Sequence, residues 1–99
     1  MAAWSLASAE GRHGAWPDTF DLAPRAARES LLPGDMAQLL FTQSDSPGER
    51  MWVRIEGMDD GGYVGVLENI PIVIADLAHG ATIHFAPEHI ARIERRADG

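Results

Sequence analysis

Residues Arg50 to Glu56 alternate without a fault. Met51, Val53 and Ile55 fall on one side, and Trp52, Arg54 and Glu56 fall on the other. Only an extended backbone sends successive side chains to opposite faces, so the segment reads as a strand with one face in a core. Similar short segments flank it: Met36 to Phe41, Tyr63 to Leu67, Ile70 to Ile74 and Ala81 to Phe85. Turn chemistry separates them at Pro33-Gly34-Asp35, Ser44 to Gly48, Asp59 to Gly62 and Ala78-His79-Gly80. Strands spaced by roughly ten residues predict an all-antiparallel arrangement.

Two residues refine that picture. Gly65, inside its strand, predicts a bulge, a bend or a close backbone approach. Pro71 lacks a ladder donor, which places it at a strand start or at a sheet edge. Pro87 to Ile93 reads as a single helical turn or a last short strand. Pro24 to Leu32 reads as a two-turn helix stopped by Pro33-Gly34. The expected fold is therefore mainly β (α+β): a small curled antiparallel sheet or partly open barrel of about five strands, with one short N-terminal helix. A flat sheet of this size would leave two edges unprotected.

The chain of 99 residues divides into an arm, 1–23, and a single compact β domain, 24–99, whose lead-in helix is 24–32. The arm shows no clean period, so partial order is expected of it. Trp16 and Phe20 are its candidates for docking on the domain. Arg95 to Gly99 reads as a solvated tail.

The chain has no cysteine, and all eight of its basic residues are arginine. Thiolate nucleophiles, disulfides and Cys-ligated metals are excluded. The net charge of −7 opposes nucleic acid and anionic lipid. Between Gln43 and Glu68, two arginines stand against six carboxylates. The first residues lack the basic start of a secretory leader, and no stretch is apolar for about 20 residues. The cytoplasm is the expected location, with no membrane partner.

Several pieces together resemble a known family. They are Pro33-Gly34-Asp35, Glu49-Arg50-Met51-Trp52-Val53-Arg54-Ile55, Gly65-Val66-Leu67-Glu68-Asn69-Ile70-Pro71, and Leu77 to Phe85 with Gly80, Ile83 and Phe85 in place. This order, over residues 33–93, resembles the YegJ-like bacterial domains, a family of uncharacterised function. The sequence departs from the pattern at Ala81, where an acid is usual, and at Ile70, where a polar residue is usual. The resemblance implies a bacterial source and a compact β domain, and carries no activity over.

Candidate chemistry is thin. His79, His84 and His89 lie five residues apart, with Asp76 and Glu88 near in sequence. Five-residue spacing on a strand points to opposite faces, and Gly80 interrupts the segment. No metal site and no cofactor are expected. Ser30, Ser44 and Ser46 sit where capping explains them. Asp59-Asp60 beside Gly61-Gly62 reads as a turn, and no phosphate-binding loop is present. Trp52, Tyr63 and Arg54 resemble a base-stacking platform, but the surrounding acids oppose phosphate.

A protein-facing surface remains. Trp, Tyr and Arg dominate interface hot spots. The expected function is a non-catalytic interaction module, of the adaptor or immunity type, for a basic partner. Its candidate binding residues are Trp52, Arg54, Tyr63, Glu68 and Asn69. The chain is expected to be a monomer, or a weak homodimer formed through the Ile70 to Ile74 edge. The alternative is a small enzyme or ligand-binding barrel using His84, His89 and a nearby acid.

Overall fold

A computed structural model describes residues 4–44 and 47–96. Asp45 and Ser46 of the expected 44–48 loop, and residues 97–99 of the expected tail, lie outside the described residues. The described elements are β1 (Trp4–Leu6), α1 (Ala9–Ala15), α2 (Arg25–Arg28), β2 (Met36–Gln43), β3 (Glu49–Asp59), β4 (Gly62–Leu67), β5 (Thr82–Phe85), a 3-10 turn (Pro87–His89) and β6 (Ile90–Glu94).

The fold is mainly β, a curled antiparallel half-barrel. Strands β2 to β5 are neighbours in chain order. The other edge of β2 is shared: β6 pairs with its first half and β1 with its last. Alternation fixes which side chains enter the core. Met51, Val53 and Ile55 are all buried, as their period predicts, and meet Leu39, Phe41, Leu67, Ile83 and Ile90 inside the curl.

The curl has a local cause. Register shifts between Ile55 and Gly57, so Glu56 has no residue opposite it on β4. The bulge thus lies in β3, across from Gly65. Gly65 supplies the close approach: a Cβ there would sit 2.5 Å from the Arg54 carbonyl oxygen and 2.6 Å from a Val53 methyl. A bulge opposite a bare backbone sharpens twist and bends the ladder.

Residues 70–74 are not a strand. They form a bent loop, β4 pairs directly with β5, and the further strand of the sheet is β6, against β2. The 87–93 segment is both things its sequence offered, a 3-10 turn and then a strand. The lead-in helix is shorter than 24–32, spanning only Arg25–Arg28. The Tyr63 hydroxyl explains the early stop: it donates to the Arg28 carbonyl at 2.8 Å and accepts from the Leu31 N–H at 3.2 Å. The buried phenol so ties the end of α2 across the mouth of the half-barrel.

The N-terminal stretch is built more fully than its sequence suggests. Ser8 caps α1 through the Gly11 N–H. Ala9, Phe20 and Ala91 form a second small core with Leu22 and Leu40 on the outer face of the sheet. The Arg50 guanidinium lies 4.6 Å over the Phe20 ring. Trp16 stays 64% exposed, so of the two candidate aromatics only Phe20 docks.

Arg28 joins this layer to the rest. Its side chain is almost wholly buried, and it donates to Glu10 at 2.7 Å, the Ala23 carbonyl at 2.8 Å and the Pro87 carbonyl at 2.9 Å. Arg95 and Arg96 are also anchored: Asp35 accepts from the Arg96 N–H at 2.8 Å and pairs with Arg95 at 3.5 Å.

Gly65→Ala should cost about 3 kcal/mol, because a methyl there must displace backbone. Gly57→Ala, with only a Val64 methyl at 3.9 Å, should change stability by less than about 1 kcal/mol. Urea unfolding of both variants checks the contrast.

Candidate functional site

Four of the five candidate binding residues come together where β3 meets the end of β4. The Trp52 N–H donates to Asn69 Oδ1 at 2.5 Å, and the Glu68 N–H donates to the Trp52 carbonyl at 3.0 Å. Arg54 donates through Nε to Glu68 at 2.7 Å and pairs with Glu56 at 3.4 Å. Tyr63 is not among them. It faces the opposite side of the sheet and lies inside the core, at 2% exposure. Alternation on β4 puts Tyr63 in phase with Gly65 and the buried Leu67, so it shares their face; its residue type, not its position, had argued for the surface.

This arrangement removes the base-stacking platform. Tyr63 is buried, and the Arg54 charge is already met by two carboxylates. Hydrogen bonding to Glu68, with the attraction of Glu68 and Glu56, holds the guanidinium more firmly charged than usual. Trp52 itself is half-buried. It lines an open groove of about 380 Å³ with residues 21–23 and 91–94. Gln38 lies between Trp52 and Arg92 in register, and its buried amide oxygen has no hydrogen-bond partner among the described residues.

Beyond Asn69 the chain turns into the feature that pattern reading assigned to a strand. Ile70, Ile72 and Val73 are 75%, 89% and 41% exposed, while Ile74 is buried. The loop's amides face inward to one carboxylate. Glu49 accepts from the N–H groups of Ile72 (2.9 and 3.2 Å), Val73 (2.9 Å) and Ile74 (3.1 Å). Gln43 holds the next residue from both sides, accepting from the Ala75 N–H at 2.9 Å and donating to its carbonyl at 3.2 Å. The amides of Ile72, Val73, Ile74 and Ala75 are thus engaged within the chain, and the segment is a loop rather than the expected edge strand. Sequence reading missed Glu49, which stands just outside the 50–56 alternation, in phase with the buried Met51, Val53 and Ile55.

The carboxylates of the acidic stretch are therefore mostly engaged within the chain. Glu49 holds the loop, Glu56 and Glu68 hold Arg54, and Asp59 Oδ2 meets His84 Nδ1 at 2.6 Å. That last pair lines a second shallow cleft with Asp60, Gly61, Gly62 and His89. His89 Nδ1 accepts from the Ala86 N–H at 3.0 Å, which leaves the ring proton on Nε2 in this state. His79 stands on an exposed turn, and the His13 Nδ1–H donates to the Phe20 carbonyl at 2.7 Å. Among the described residues no three His, Asp or Glu side chains converge as a metal site. No described helix is long and apolar enough to cross a membrane.

Burial pushes the Glu49 carboxyl up, but the N–H groups of Ile72, Val73 and Ile74 outweigh it, and the group titrates below the ordinary glutamate range. Asp35 behaves alike, with burial opposed by the Arg96 and Leu32 N–H groups and by both terminal arginines. For a lowered folded-state value, stability is fully present above the unfolded pKa and is lost as pH falls through the folded one. Unfolding free energy measured downward from pH 6 should thus decline below the ordinary carboxylate range, and Glu49→Gln should flatten that decline. No family model, curated protein or solved structure matches the chain.

Proposed function

We propose that the protein is a non-catalytic protein-interaction module. Its contact surface runs from Trp52 and Asn69 onto Ile70, Ile72 and Val73. The observation that carries this reading is the loop at 70–73. It places three large aliphatic side chains in water while Glu49 and Gln43 fix its backbone. Exposed apolar groups on a fixed frame lose little entropy when a partner covers them. A net charge of −7 favours a basic partner through long-range steering. An adaptor or an inhibitor of a basic enzyme fits that description, as does a cytoplasmic bacterial setting of the kind the family resemblance implies.

A second reading, a small ligand-binding or enzymatic cleft, is favoured by one observation: Asp59, His84 and His89 share one open cleft of about 290 Å³. No serine, threonine or lysine lines this cleft among the described residues, and His89 spends one ring nitrogen on the Ala86 amide.

The two readings separate by mutation. Ile70→Ser with Ile72→Ser should abolish capture of a partner from native lysate, with circular dichroism and melting temperature unchanged. His84→Ala should leave capture intact. The reverse pattern would transfer the function to the His84 cleft.

A further inference from the structure

The loop at 72–74 resembles an anion receptor more than an ordinary turn. Three successive backbone N–H groups point at one carboxylate, at 2.9 to 3.2 Å. Successive amides arranged in this way form a concave nest with positive character, whatever the side chains are. Here the side chains contribute little: Ile72 and Val73 face solvent, and only Ile74 enters the core. Three N–H groups serve the two oxygens: Val73 and Ile74 donate to Oε1, and Ile72 reaches both, at 2.9 Å to Oε2 and 3.2 Å to Oε1.

The guest comes from the same chain. Glu49 opens β3, where it pairs with Phe41 across the sheet. Its side chain therefore leaves a rigid strand and fills the nest from a fixed point. Gln43, at the end of β2, closes the loop at Ala75.

We propose that residues 72–74 form a carboxylate-binding site that Glu49 occupies from within, so that its occupancy sets the position of the Ile70–Val73 side chains. The site itself stands on the geometry alone. Its effect on partner binding rests on the function proposed above.

Emptying the nest tests this. In Glu49→Ala, amide exchange at Ile72, Val73 and Ile74 should quicken about tenfold or more, the loss expected when bonds to a charged acceptor are removed. Sodium acetate should then slow exchange at those three amides and return their nitrogen–proton correlations toward the wild-type positions. Sodium chloride at equal ionic strength should do neither. Unchanged exchange in the variant would overturn the proposal, as would indifference to acetate.

If Glu49→Ala does not fold, Glu49→Gln keeps the size and removes the charge. It should show intermediate exchange at the same three amides, and wild-type protection there would count against the site. Ile72→Ser separates this question from the proposed function. It should lose partner capture and keep the protected amides. If it keeps capture instead, the interaction reading falls and the carboxylate site stands.

Discussion

The close approach of β3 and β4 at Gly65 governs the shape of the molecule. Arg54 and Val53 occupy the space where a side chain would be, and Glu56 is squeezed out of register beside them. The ladder bends there, and bending makes one face concave. A core of alternating aliphatic residues fits only in such a concavity. Once the sheet has curled, the far strand can hand the chain through a 3-10 turn to β6, which returns to β2. Tyr63 then meets the lead-in segment at the mouth, and its hydroxyl satisfies a carbonyl and an amide that would otherwise be buried unpaired.

The outer face follows a different rule. Among the described residues its polar groups are largely answered within the chain, Arg54 by two acids and Asp59 by His84. Self-matched charges contribute long-range field and solubility, but they leave few dedicated contacts for a partner. The exposed aliphatic loop beside Trp52 is thus the more informative surface. It stands against the usual partition of large apolar side chains, and its backbone is tied down rather than loose.

How much of this was legible in the sequence follows from the range of each signal. The 50–56 alternation identified both the strand and its buried set, because period two is a local property. Turn glycines and Asp59-Asp60 marked the hairpin for the same reason. Ile70 to Ile74 misled, since a short aliphatic run looks alike as an edge strand or as an exposed loop. The deciding group, Glu49, lies more than twenty residues earlier. The arm carried little local signal beyond Phe20. Its order comes from Phe20 under Arg50 and from Glu10 against Arg28, contacts that no local period records. In the candidate site, Trp52 and Arg54 were found through their strand face, while Glu68 and Asn69, just past the end of β4, carried no such local signal. Tyr63 was misplaced because residue type alone argued for a surface.

Arg28 has a consequence for the order in which the chain assembles. Its three partners lie 5, 18 and 59 residues away in sequence. The guanidinium is fully satisfied only after Pro87 has been delivered by the completed sheet. Contacts that close long loops form late, because their entropy cost precedes their reward. The N-terminal layer is therefore expected to dock last, onto a sheet already folded, and to be the first part to leave when the protein opens.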